Sequence, residues 1–278
     1  MWFDVNGRRA YAYTGGRSFD PAAPVVAFVH GAQHDHSVWI LQSRYLAHHG
    51  RSVLAVDLPG HGRSAGPALA TVEAMADWLQ ALLAAAGVAK AALVGHSMGS
   101  LIALETAARA PQLAERLALL GVAVPMKVSD VLLNAARDHE PDAFAMINAW
   151  SHSSLTPRPG TPGPGFSVYW QNRRLMERQA PGVLFNDFNA CNAYENGLAA
   201  ADEVRCPVLV VSAARDMMTP PKAARELLEH LRQASARPAP QAGTAPAPPP
   251  RVVSIAGSGH AMMAEQPDRV LEALRDFV

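Results

Sequence analysis

The sequence predicts an α/β fold, a mostly parallel sheet with helices on both faces. Three observations carry that expectation. Short β-branched runs, "PVVAFVH" (24–30), "SVLAVDLPG" (52–60) and "PVLVVSAARD" (207–216), are each followed by helical spacing. Strands that alternate with helices are joined by crossovers and therefore pair in parallel. Apolar residues make up 49% of the 278 residues, enough for one large core with an inserted segment.

Each element has a local reason. "WFDV" and "RRAYAYT" flank Asn6-Gly7, a pair that suits a type I′ hairpin turn. After the strand at 24–30, "SVWILQSRYLAHHG" reads as a helix stopped by Gly50. The strand at 52–60 ends in a Pro-Gly loop, and the helix at 71–87 is capped by Thr71 and closed by Gly87. Residues 91–111, "AALVGHSMGSLIALETAARAP", form a strand, a sharp turn and a helix. "RLALLGVAV" (116–124) is the next strand. The runs at 207–216 and 251–257 complete the set, each followed by a helical pattern, at 221–233 and 267–278.

Two segments break this rhythm. Residues 125–203 hold helical patterns without a convincing strand, several aromatic residues, and the Pro/Gly joint "TPRPGTPGPG" at 156–165. They read as a helical cap inserted between the two parts of a core domain, 1–124 and 204–278. The second segment, 234–250, is too rich in Pro and Ala to build a core and reads as an extended surface loop.

Composition excludes some functions. The 24 basic and 24 acidic residues balance without a basic cluster, so no nucleic-acid partner is expected. Two cysteines, Cys191 and Cys206, are too few for a disulfide framework. The first residues carry charge and no apolar signal segment, and no apolar run is long enough to span a bilayer. A soluble, cytoplasmic protein without a membrane partner is expected. The Ala, Arg and Pro content suits a bacterial source.

Gly95-His96-Ser97-Met98-Gly99 is the strongest chemical signal. It is a G-x-S-x-G between a strand and a helix. There the chain reverses so sharply that only glycines fit around the serine. The turn would present the Ser97 hydroxyl at a helix N-terminus, where developing negative charge is favoured. A serine needs a base. His260, in the loop after the last strand, reaches the same sheet edge, and Asp216, ending "PVLVVSAARD", supplies a carboxylate to orient it. The order Ser…Asp…His is the one such an elbow calls for. Gly257-Ser258-Gly259 precedes no helix that would make it a nucleotide site.

The segments "VHGAQHDHSVW", "DLPGHGRS", "LVGHSMGS", "SAARDMMTP" and "GSGHAMMAEQP" together resemble the α/β-hydrolase family over nearly the whole chain. The resemblance implies the α/β-hydrolase fold, an eight-stranded sheet with a cap after the sixth strand. It also implies nucleophile, acid and base roles for Ser97, Asp216 and His260. The separation of Asp216 from His260 is longer than is usual in the family, and the Pro-rich loop accounts for the excess. In the family the turn after "VHG" forms half of the oxyanion hole, so the backbone N–H of Ala32 is expected as one donor and that of Met98 as the other. Gln33 stands where the family often has glycine. Its own N–H is therefore an alternative donor, and its side chain is expected at the substrate pocket.

"HGAQHDH" (30–36) also invites a metal reading. The metallo-hydrolase pattern H-x-H-x-D-H is absent, because Ala32 stands where a histidine is needed, so no metal is expected. His61, His96 and Asp57 read as turn-supporting residues. The expected function is hydrolysis of a small apolar carboxylic ester, lactone or thioester by an acyl-enzyme, with no cofactor. Met126, Trp150, Trp170, Met217, Met218 and Met262 are candidate pocket walls beside Gln33. The alternatives are C–C bond hydrolysis or cofactor-free perhydrolysis at the same triad, or a non-catalytic ligand-binding member of the fold.

Overall fold

The structure, a computed structural model, describes residues 1–153, 167–237 and 246–278. Eight strands form one sheet: β1 (Trp2–Val5), β2 (Arg8–Tyr13), β3 (Val25–Val29), β4 (Ser52–Val56), β5 (Ala91–His96), β6 (Ala114–Leu120), β7 (Val208–Ala213) and β8 (Arg251–Ile255). Their order is β1-β2-β4-β3-β5-β6-β7-β8. β1 pairs antiparallel with β2, and β2 with β4, while every later pair is parallel. Parallel strands send their C-terminal loops to one edge, so the loops after β3, β5, β7 and β8 converge there.

The core helices are α1 (Ile40–Ala47), α2 (Val72–Ala85) and α3 (Met98–Arg109) in the first half of the chain. Between β6 and β7 lie α4 (Asp130–Asp138), α5 (Glu140–Ser151), α6 (Val168–Glu177), α7 (Val183–Ala193) and α8 (Gly197–Glu203), with no strand among the described residues. α9 (Arg225–Ser235), α10 (Met262–Glu265) and α11 (Pro267–Arg275) follow.

The two faces of β3 show why the sheet is covered on both sides. Val25, Ala27 and Val29 pack with Leu79 and Leu82 of α2 and Leu101 and Ile102 of α3. Val26 and Phe28 pack on the opposite face with Trp39, Leu46 and Leu274. A strand buried on both faces reads as a continuous apolar run, which is what "VVAFV" is. The helical insertion has its own apolar cluster, built on Leu132, Phe144, Ile147, Met176, Leu184 and Phe188.

Several expected boundaries shift for local reasons. The helix expected from residue 37 begins as a 3-10 turn, His36–Trp39, because the Asp35 side chain caps it by accepting from Ser37 N. β6 starts at Ala114 and stops at Leu120, since Gly121 takes φ +58° and leaves the strand. α9 extends through Ser235, with Ala234 packed in the interior, so these two residues belong to the helix and not to the surface loop. Of the Pro-rich segment, 238–245 lies outside the described residues, as does the Pro/Gly joint at 156–165. Among the described residues no helix is long and apolar enough to cross a membrane.

Candidate active site

Ser97 lies between β5 and α3 with φ 54° and ψ −123°. A residue with a side chain pays about 1–3 kcal/mol for such a conformation. The surroundings hold it: Ser97 N–H donates to Leu120 O at 2.9 Å, and Ser100 N–H donates to Ser97 O at 2.8 Å. The flanking glycines are required by close approach. A Cβ on Gly95 would lie 2.1 Å from the Gly99 oxygen, and one on Gly99 would lie 2.4 Å from the Val29 oxygen. Ser97 is half-buried between fully packed neighbours.

The loops after β7 and β8 bring Asp216 and His260 into contact. His260 Nδ1–H donates to Asp216 Oδ2 at 2.8 Å. Asp216 Oδ1 accepts from the N–H groups of Met218 and Thr219, each at 2.8 Å. The Thr219 hydroxyl donates to Asp216 Oδ2 at 2.8 Å and stands 3.1 Å from His260 Nδ1. Burial would raise the Asp216 pKa, but the neighbouring His260 and the Thr219 bonds outweigh it, so the net shift is downward and the carboxylate stays ionised. His260 is tied to the elbow by His96, whose Nε2–H donates to the His260 carbonyl at 2.9 Å with ring centroids 4.6 Å apart. Burial and the nearby His260 and His34 hold His96 far below the usual imidazole range, so it is neutral.

The "HGAQHDH" segment forms the facing loop. His30 Nε2 accepts from Leu58 N–H at 3.1 Å, which leaves its Nδ1–H to donate to Gly31 O at 2.8 Å. Burial lowers the His30 pKa to about 4, consistent with that neutral form. His34 Nδ1 bonds the Ala32 carbonyl at 2.7 Å, and its Nε2 faces Asn172 Oδ1 at 2.8 Å. Gln33 takes φ +57°, and its N–H donates to Asp187 Oδ2 at 2.9 Å. Its N–H is therefore spent, which removes Gln33 as the alternative anion donor. Among the described residues the N–H groups of Ala32 and Met98 have no hydrogen-bond partner.

Asp35, His36 and Asp57 offer ligand atoms within 4.8 Å of one another. Those atoms already have protein partners. Arg178 and Gln179 donate to Asp35, while the backbone N–H and Nδ1–H of His36 donate to Asp57 Oδ1. Burial would raise Asp35, but the bonds from Ser37 and the Arg178 guanidinium outweigh it and hold the carboxyl well below the usual range. The cluster ties together the loops around it.

A cavity of about 210 Å³ opens beside His260 and His96. Val38, Leu41, Asn172, Leu175 and Met263 supply much of its wall. None of the seven expected wall residues is among its lining. Met126 and Met262 are packed in the core clusters. Trp170 and Met217 point outward, 54% and 66% exposed. The Gln33 amide is drawn away to the Met176 carbonyl, 3.1 Å from its Nε2. Trp150 and Met218, like Ala32, pack against the apolar cluster of the insertion instead. Thr219, Gly121 and Asp187 are site neighbours that sequence reasoning missed. Thr219 had a signal, being a hydroxyl residue three positions after an aspartate, a common turn pattern.

The profile of the alpha/beta hydrolase family matches residues 26–273. The chain belongs to that family. RutD of Klebsiella pneumoniae subsp. pneumoniae, provisionally named a carbamate hydrolase, is 26% identical over 270 residues, covering 92% of this chain and 91% of its own. The enol-lactonase of Burkholderia xenovorans LB400 superposes with a TM-score of 0.82 at 21% identity, over 100% of this chain and 99% of that one. A thermophilic esterase from Thermogutta terrifontis gives 0.78 at 22% identity, over 99% and 96%. At these identities the structural likeness establishes the fold.

Proposed function

We propose that this chain is a serine hydrolase that cleaves a small carboxylic ester, lactone or thioester through an acyl-enzyme on Ser97. The observation that carries the reading is the strained Ser97 elbow, whose His96 is hydrogen-bonded to the His260 backbone, together with the bond from His260 to Asp216. His260 Nε2 takes the Ser97 proton as Oγ attacks the carbonyl carbon. Asp216 keeps the proton on Nδ1 and stabilises the imidazolium. The unpartnered N–H groups of Ala32 and Met98 receive the oxyanion, where losing one donor typically costs about 10²–10³ in rate. The imidazolium then protonates the leaving oxygen or sulfur, and water hydrolyses the acyl-enzyme by the same route.

The cavity favours small substrates. It borders His260 and not Ser97 among the described residues, so it lies where the leaving group receives its proton. Its 210 Å³ is below the roughly 300–1,000 Å³ of drug-sized ligand sites. A short alcohol or the ring of a lactone suits it. The helical insertion acts in this reading as the cap that closes the site.

The test is a panel of nitrophenyl esters of increasing acyl length, run beside lactones, thioesters and carbamates. Turnover that Ser97→Ala abolishes, with one fluorophosphonate adduct on Ser97, is expected. Full activity in Ser97→Ala, or labelling elsewhere, overturns the assignment.

A further inference from the structure

We propose that Asp187, from the helical insertion, is a positioning residue for the anion-donor turn at Gly31–Gln33. The proposal rests on the serine-hydrolase reading and adds a part from the far side of the chain.

Three side chains hold consecutive peptide groups of this turn. His30 donates to the Gly31 carbonyl, which belongs to the same peptide as the Ala32 N–H. His34 holds the Ala32 carbonyl, and Asp187 Oδ2 accepts the Gln33 N–H of that same peptide at 2.9 Å. The first two holds come from within the segment. Asp187 lies 154 residues further along, on α7, and is fully buried. Gln33 is left-handed at φ +57°, a strained backbone for a residue with a side chain. Without the Asp187 bond nothing compensates that strain at its N–H. Relaxation of Gln33 would turn the Ala32–Gln33 peptide and, through the shared Ala32 Cα, the Ala32 N–H.

Asp187 is itself held. His61 Nε2–H donates to the same oxygen at 2.9 Å, and His61 Nδ1 faces the Pro59 carbonyl at 3.1 Å. Burial would lower the His61 pKa, yet the Asp187 carboxylate outweighs it and the net shift is upward. The His61 bond gives Asp187 a second partner in a buried place where an unpaired carboxylate would be costly. The donor turn is therefore complete only when the insertion is docked, and the insertion supplies a working part as well as a cover.

The experiment compares Asp187→Asn with Gln179→Ala. Gln179 seats the same insertion, accepting from Gly62 N–H at 2.8 Å and donating to Asp35 at 3.0 Å, without touching residues 31–33. Each variant is read by kcat and KM on a turned-over ester and by hydrogen exchange of the 31–36 backbone. Asp187→Asn is expected to lower kcat about 10- to 100-fold, leave KM little changed, and speed exchange at Gln33. Gln179→Ala is expected to keep kcat and the Gln33 exchange rate near wild type. Equal losses in both variants, or an unchanged Gln33 exchange rate in Asp187→Asn, overturn the proposal. In the wild type, Gln33 should exchange in step with the amides of α7, and much faster exchange overturns it without any variant. A wild type that turns over no ester, but whose Gln33 amide responds as expected, overturns the ester reading and leaves the Asp187 hold standing.

Discussion

Gly121→Ala separates the stability of the fold from the alignment of the site. Gly121 ends β6 with φ +58°, and its N–H donates to Val211 O at 2.9 Å. An alanine Cβ there would stand 3.2 Å from His260 Cε1, 3.3 Å from His260 Nδ1 and 3.3 Å from Thr219 Oγ1. Each distance is a few tenths of an ångström too short for a relaxed contact. The imidazole and the hydroxyl must therefore yield, and both are bonded to Asp216 at 2.8 Å. The backbone penalty of a left-handed alanine is about 1–2 kcal/mol, of which about 0.4–1 is returned by the stiffer unfolded chain. A net loss of about 1 kcal/mol lowers Tm by about 2–4 °C in a domain near this size. Catalysis should suffer more, because a misplacement of 1 Å can cost about 10²-fold and a third of that still costs several-fold. The expected result is a kcat lowered about 3- to 10-fold with a nearly native melt. Steady-state turnover of a nitrophenyl ester, the rate of fluorophosphonate labelling at Ser97 and a thermal melt read these separately. A lowered Tm with kcat and labelling both at wild-type values would refute the reasoning that Gly121 sets the position of His260.

Further expectations concern the same groups. Asp216→Asn should lower kcat by about 10³- to 10⁴-fold while the fold persists, because the amide cannot hold His260 in the required tautomer; pre-steady-state acylation measures this. His61 has a folded pKa above its unfolded value near 6.5, so its contribution to stability is full below that pH and fades as pH rises through the folded value. The Tm gap between wild type and His61→Gln should thus be widest at mildly acidic pH and narrow in alkali, and a gap that widens with pH would contradict the ion pair. His30, with a pKa of about 4, should titrate near that value by NMR, and the stability it lends as a neutral group is lost as pH falls from about 6.5 toward 4. Leu175→Trp should cut kcat/KM about tenfold or more for esters of bulky alcohols and spare methyl esters, which competition assays would detect.

What could be read from the chain and what could not divide along the range of the interactions. The Ser97 elbow is legible because its cause is local: Gly95 and Gly99 lie within two residues of the serine and remove the clashes that forbid the turn. Asp216 and His260 are legible because each directly follows a strand of one parallel sheet, which forces both to one edge. The histidines of "HGAQHDH" are visible as a cluster, but their distant partners, Asp57, Asn172 and Leu58, are not, and a cluster alone does not distinguish a ligand set from a hydrogen-bonded loop. Which large apolar residues line the cavity is illegible for a similar reason. Methionine and tryptophan look alike in a core and in a cavity, and only the packing shows Met262 inside and Trp170 outside.

By itself, then, the sequence determined the alternation of strands and helices and the shared edge to which the loops carrying Ser97, Asp216 and His260 lead. Each of these follows from sterics between near neighbours or from the handedness of parallel crossovers. The tertiary structure alone decided that the Gln33 N–H is taken by Asp187, that Thr219 braces Asp216, and that α6 lines the cavity beside His260. Those contacts join elements separated along the chain, and their geometry depends on how the insertion seats against the sheet, which no local pattern encodes.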